Sequence, residues 1–260
     1  MIITHLGNGI LNIEGLIDLN NQQSLEWMAR VQSNSVPQGY SSIDEFVERN
    51  EGGYEFDKTS VDTRPTRFDK FGYIGETAED ALIKKSIDDG IYKAVTIYGK
   101  VFPVAVSELT WRTDGHVAMY EPGQYIGVHS DCGLPYDGET YNPLHIAPLY
   151  NTLTTTVAIN DNYEGGELRF RTWGITHRAK VGSVTVYPSS YMGAHEILPV
   201  VSGIRYSYLS WFCHGLPECD YESMELEKAN FKWLINLKND IAKIEGLNYE
   251  YVPVGVLSSS

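Results

Sequence analysis

Three side chains suited to hold a metal stand at two points of the chain. His129 and Asp131 close the stretch Tyr120-Glu-Pro-Gly-Gln-Tyr-Ile-Gly-Val-His129-Ser-Asp131, and His195 opens His195-Glu-Ile-Leu-Pro-Val-Val-Ser-Gly-Ile-Arg205. Side chains alternate along an extended segment, so residues two apart share a face and the His129 imidazole sits beside the Asp131 carboxylate. One more imidazole from a distant strand completes two His and one carboxylate on one face of a metal, with the opposite positions open, a set that suits Fe(II). A His-x-Asp pair alone is common polar surface. Arg205 sharpens the reading, because it lies ten residues after His195 in the strand-like run Gly203 to Phe212. A guanidinium fixed near a metal offers bidentate hydrogen bonds to the far carboxylate of a dicarboxylate. The plain alternative for Arg205 is a strand arginine facing solvent.

The chain has seven histidines, so other sets compete. His177 falls in an expected hairpin, His214 just past a strand end and His145 in a loop; each reads as an ordinary histidine. His195 stands out because it follows a turn and precedes an arginine by ten. Two His and one carboxylate also make a catalytic zinc site. No His-Glu-x-x-His helix is present, which argues against a zinc protease.

Taken in order, the His129-x-Asp131 pair, the strand Gly165-Gly-Glu-Leu-Arg-Phe170, the Tyr187-Pro188 turn and the His195 to Arg205 spacing resemble the 2-oxoglutarate- and Fe(II)-dependent dioxygenases, most of all their prolyl 4-hydroxylase-like branch. The resemblance covers Val117 to Phe212. It implies that His129, Asp131 and His195 bind iron, and that Arg205 holds the distal carboxylate of 2-oxoglutarate with help from Tyr120 and from a threonine among Thr154 to Thr156, Thr156 above all. It further implies O2 as oxidant, succinate and CO2 as products, ascorbate as accessory reductant, and hydroxylation of peptidyl proline. Collagen-type members usually carry Lys where this chain has Arg205, so the substrate does not follow from the match. Asp131 argues against the halogenating relatives, which lack that carboxylate. A free amino acid or another small molecule stays open as substrate, as does a jelly-roll binding module without chemistry.

Composition narrows the partners. The 260 residues include 34 acidic against 20 basic, for a formal charge of -14. Phosphate backbones and anionic membranes call for clustered Lys and Arg, so no nucleic-acid or membrane partner is expected. The opening Met1-Ile-Ile-Thr-His-Leu lacks a basic region and a cleavage site, and no signal peptide is expected. Three cysteines make no disulfide framework, and a reduced cytoplasm fits them. Cys132, next to Asp131, reads as packing or loop because neighbours on a strand point opposite ways.

The elements that must position these residues are mainly strands. Residues 1 to 17 suggest a short strand, and Asn20 or Asn21 caps a helix to about Val31 with Leu25, Met28, Ala29 and Val31 on its apolar face. Val36 to Gly75 lacks periodicity. Thr77 caps a second helix to Asp89, or through Tyr98, with Ala81, Leu82, Ile83 and Ile87 inside. From Val101 the pattern turns to strands: Val101 to Trp111, a hairpin turn at Thr113-Asp-Gly115, His116 to Tyr120, the ligand strand Ile126 to Asp131, Asn151 to Asn160, Glu167 to Arg171, a hairpin over Arg178 to Tyr187 bending at Lys180-Val-Gly182, and Ile204 to Phe212. Short strands at regular spacing make the fold mainly β with flanking helices around a double-stranded β-helix, or jelly-roll, core. One domain is expected, with a helical and loop part at 1–100, the jelly roll at 101–215 and a covering helix (Met224 to Ile244) and tail at 216–260. Tyr136 and Tyr141 in the insertion Leu134 to Leu149, and Arg64 in the N-terminal loop, are the candidate substrate contacts, since aromatic surfaces suit proline.

Overall fold

The computed structural model describes residues 1–19, 21–34, 67–68, 77–107, 109, 111–112, 115–132 and 150–214, and, near the C-terminus, 236–237, 239–241 and 243. The expected insertion at 134–149, with Tyr136, Tyr141 and His145, lies outside the described residues. So do Arg64 and most of the aperiodic N-terminal segment.

The chain opens with β1 (Ile2–Gly7) and β2 (Ile10–Glu14), a hairpin, followed by helix α1 (Gln22–Asn34). Asn21 caps α1 by accepting the Ser24 N–H at 2.8 Å. The buried face is Ser24, Trp27, Met28 and Val31, while Leu25 and Ala29 are exposed. The expected stripe was therefore rotated: the tryptophan side faces the core. After β3 (Arg67–Phe68) comes α2 (Ala78–Val101), capped by Thr77, whose hydroxyl accepts the Asp80 N–H at 3.1 Å. Here too Ala81 and Leu82 face outward and Asp80, Ile83, Ile87 and Ile91 face inward.

Gly90 does not end α2. A Cβ there would lie 2.2 Å from Ile17 Cγ1, so the glycine serves a close approach inside the helix. The helix also runs past Tyr98 to Val101, and α3 (Pro103–Ser107) follows, where a strand was expected. Proline at the first position of a helix loses no hydrogen bond, and Val-Ala-Val context yields to packing: Val106 is buried in the main core.

The remaining strands are β4 (Trp111–Arg112), β5 (His116–Tyr120), β6 (Ile126–His129), β7 (Tyr150–Ala158), β8 (Glu164–Gly165), β9 (Leu168–Phe170), β10 (Ile175–His177), β11 (Val184–Pro188), β12 (His195–Ile197), β13 (Val200–Ser202) and β14 (Arg205–His214). They build a major sheet in the order β1-β2-β11-β7-β14-β5-β3, with β4 also on β14, a minor sheet β10-β9-β12-β6, and the small pair β13-β8. The jelly roll thus draws β1 and β2 from the first fourteen residues.

Two expected hairpins are absent. Arg112 pairs with Phe212 and His116 with Leu209, so β4 and β5 run the same way along one edge of β14 and no reversal separates them. β10 pairs with β9 while β11 pairs with β2 and β7, so the Lys180 to Gly182 turn carries the chain from one sheet to the other. Tyr187 and Pro188 lie within β11 rather than in a turn.

The major sheet is buried on both faces, and its side chains sort by parity. Val117 and Met119, Leu153 and Val157, Val184 and Val186, and Tyr206, Tyr208 and Phe212 join Trp27, Ile87, Ile91 and Val95 in a core under the helices. Ala118, Tyr120 and Tyr187 point the other way and meet Leu168, Phe170, Ile175 and Ile197 of the minor sheet in a second core. Leu237, from the helical residues near the C-terminus, is fully buried in the first core, in keeping with a covering helix.

Candidate metal centre and its anion pocket

The two imidazoles meet through strand register. His195 and His129 are direct partners in the antiparallel pair β12–β6, with ring centroids 4.4 Å apart. Asp131 lies two residues past the end of β6, in a turn rather than on the strand, and its Oδ1 is 3.6 Å from His129 Nε2. The ligand atoms of His129, Asp131 and His195 all lie within 4.8 Å of one another. Cys132 is not part of this cluster; its thiol sits 3.6 Å from the Ser130 hydroxyl.

Each ligand is oriented by a partner that sequence reading did not find. His129 Nδ1 is 2.8 Å from the Gly127 carbonyl and His195 Nδ1 is 3.0 Å from the Gly193 carbonyl. A carbonyl only accepts, so both Nδ1 atoms carry the proton and both Nε2 lone pairs face the site. The repeated device is a carbonyl two residues upstream. Thr154 donates to Asp131 Oδ2 at 2.8 Å, and Asn151 Nδ2 donates to the Asp131 carbonyl at 2.7 Å. Ser189 lies 2.8 Å from the Thr154 hydroxyl and, since that hydroxyl's one proton goes to Asp131, must donate to it. Burial lowers the His195 pKa to about 4, against the raising effect of Asp131, so the ring is neutral at neutral pH. Two imidazoles with Nε2 aimed at the site and a carboxylate with one free oxygen fit a divalent metal.

A second pair of expected residues also meets by register. Arg205 and Tyr120 are direct partners in β14–β5, with the guanidinium 5.1 Å from the Tyr120 ring centroid. Arg205 is only 6% exposed. Its Nη1 donates to Ser207 Oγ at 2.9 Å, while its Nε is buried with no partner among the described residues, and no carboxylate pairs with it there. A buried guanidinium without a counter-charge calls for an anion. Asn160 brackets its backbone, donating to the Ile204 carbonyl and accepting the Tyr206 N–H. Thr156, Leu168, His177 and Thr185 line a pocket with Arg205. Burial pushes the Tyr120 hydroxyl up to about 12, so it stays a donor.

Residues 115–213 match the model of the 2OG-Fe(II) oxygenase superfamily. The matched stretch contains His129, Asp131, His195 and Arg205. This family uses Fe(II), 2-oxoglutarate and O2. The chain is similar to a PKHD-type hydroxylase of Synechococcus sp. (strain JA-2-3B'a(2-13)), 29% identical over 97 residues, 36% of this chain and 40% of that protein. The chain thus spans about 40% of the length of the curated relatives it matches. Among solved structures, it is similar to a prolyl hydroxylase from Trichoplax adhaerens in complex with a hypoxia inducible factor oxygen degradation domain peptide fragment. That likeness has a TM-score of 0.50 at 16% identity, covers 85% of this chain and 86% of that one, and bears out the jelly-roll fold. A viral collagen prolyl hydroxylase from Paramecium Bursaria Chlorella virus-1 overlays with a TM-score of 0.49 at 18% identity, over 80% of this chain and 97% of that one.

Tyr187 is the site residue that the sequence reading left out of the chemistry. Its hydroxyl is 3.3 Å from His195 Nε2 and 3.2 Å from Thr156 Oγ1, between the metal cluster and the Arg205 pocket. The available signal was a tyrosine at an inward position of a strand whose alternate residues are valines.

Proposed function

We propose that the chain is an Fe(II)- and 2-oxoglutarate-dependent dioxygenase that hydroxylates peptidyl proline, releasing succinate and CO2. The observation that carries this reading is the joint presence of the aimed His129, Asp131, His195 donor set and a buried Arg205 with a free donor. His129 Nε2, Asp131 Oδ1 and His195 Nε2 would hold the iron. When bound, iron supplies dioxygen activation driven by oxidative decarboxylation of 2-oxoglutarate. The chain's own residues do the rest. Gly127 and Gly193 hold the imidazole protons away from the site. Thr154 fixes which Asp131 oxygen faces it. Arg205 anchors the far carboxylate, with Tyr120 and Thr156 as hydroxyl donors. The sandwich interior of Phe170, Ile197 and Leu168 keeps water out.

Peptidyl proline as substrate rests on the likeness to prolyl hydroxylases, one of them solved with a peptide fragment. The test is succinate release from 2-oxoglutarate by the purified chain, with and without Fe(II) and ascorbate, offering proline-containing peptides. Iron-dependent succinate stimulated by peptide is the expected result. Iron-dependent succinate indifferent to peptide would overturn the prolyl substrate in favour of a small molecule. No succinate from a folded, iron-loaded chain would overturn the enzyme reading in favour of a binding module.

A further inference from the structure

We infer that the Tyr187 hydroxyl is a positioning residue for the co-substrate, switched from the metal ligand His195 to the incoming co-substrate when the metal binds. The inference rests on the proposed reading of the triad as a metal site and of Arg205 as the carboxylate anchor.

The hydrogen bonds fix its logic. A neutral imidazole has one N–H, and that of His195 goes from Nδ1 to the Gly193 carbonyl at 3.0 Å. His195 Nε2 is then an acceptor, and the hydroxyl 3.3 Å away that donates to it is Tyr187. The same Nε2 lone pair is the one a metal takes. Once it is taken, the Tyr187 proton loses that acceptor in a place with no solvent, since Tyr187 has no exposed surface, and what remains to it is Thr156 Oγ1 at 3.2 Å or an oxygen that enters beside it. A buried donor left unmade costs about 1–3 kcal/mol, so the proton turns to another acceptor.

What lies on the other side of the hydroxyl is Thr156 Oγ1 at 3.2 Å, and Thr156 lines the pocket that contains Arg205. The oxygen thus stands where a molecule anchored at Arg205 must pass to reach the metal. The ring cannot follow the metal or swing aside. It lies edge-on to Phe170, centroids 5.1 Å apart, and is rooted in β11 between β2 and β7. Only the O–H direction changes. Metal loading therefore prepares a donor for a co-substrate oxygen.

Two binding titrations on the purified chain under anaerobic conditions test this, with Mn(II) as a redox-inert probe. Tyr187→Phe keeps the ring and removes the oxygen. It is expected to bind Mn(II) at least as tightly as the parent, because a competitor for Nε2 is gone. The Mn(II)-loaded variant is expected to need about tenfold more 2-oxoglutarate, the equivalent of one lost hydrogen bond. Weaker Mn(II) binding overturns the inference, since Tyr187 would then support His195 itself. Unchanged 2-oxoglutarate affinity overturns it too. Arg205→Met in the same titration separates the two levels. If it loses 2-oxoglutarate while Tyr187→Phe does not, only the role of Tyr187 falls. If it binds 2-oxoglutarate as the parent does, the anchor reading falls first.

Discussion

Thr154 has no exposed surface, and its single proton goes to Asp131 Oδ2 at 2.8 Å. Without that bond the carboxylate is free to rotate, and either oxygen competes for the metal. Thr154→Val keeps the shape and removes the donor. Loss of such an outer partner weakens metal binding by about 10- to 100-fold. Mn(II) titration of the folded variant checks this, and an affinity equal to the parent's would mean that Asp131 is held by other contacts. At this scale the grouping of His129, Asp131 and His195, and the pairing of Arg205 with Tyr120, were legible because those residue types at that spacing stand out in the sequence. Their orienting partners were not. The Gly127 and Gly193 carbonyls carry no side-chain signature, and Thr154 reaches Asp131 only because β7 and the turn after β6 meet at the same end of the sandwich. The threonine run of β7 was visible, but β-branched composition reads equally as strand propensity.

The elements were legible where the local signal and the packing agree. Thr77 and Asn21 cap their helices as expected, and β7 and β14 form where β-branched and aromatic residues cluster. The signal failed where tertiary contacts decide. Val101 to Ser107 has strand composition and folds as helix, and Gly90 reads as a stop but fits against Ile17. Lys180 to Gly182 reads as a hairpin bend because a tight turn looks the same whether it joins neighbours or changes sheets. Gly182 itself is fixed by geometry. Its φ is +74°, and a Cβ there would meet the Ile17 carbonyl oxygen at 1.9 Å. Neither backbone can retreat without breaking the junction, where Gly182 N–H donates to the Ala158 carbonyl at 2.7 Å. Gly182→Ala is expected to destabilise the fold by at least about 2 kcal/mol, from left-handed strain plus overpacking. Denaturant unfolding measures it, and a loss below half that value would show that the turn can open.

Among the described residues, burial keeps His177 neutral as it does His195. His177 sits at the end of β10 with Nε2 buried and without a partner among the described residues, and burial, against the weaker raising effect of Glu14, lowers its pKa to about 4. The folded value lies below the ordinary 6.5, so the unfolded chain binds the proton first. Stability is complete above about 6.5 and falls as the pH drops towards about 4. The loss from this group is on the order of 3 kcal/mol. His177→Gln is expected to flatten that part of the curve of melting temperature against pH, and an unaltered slope would assign the acid sensitivity to other groups.

The two-sheet construction has a consequence for what the site accepts. His129 and His195 belong to the minor sheet, whereas Arg205, Tyr120, Thr156 and Tyr187 belong to the major one. On the proposed reading, a molecule held at both ends is a strut across the sandwich, and the gap between the sheets works as a length gauge. Packed side chains such as Phe170, Tyr187 and Ile197 set that gap, and close-packed interiors do not stretch. A diacid one carbon too short then reaches the metal or the guanidinium but not both. Selection by chain length comes from the thickness of the fold rather than from any one residue in the pocket.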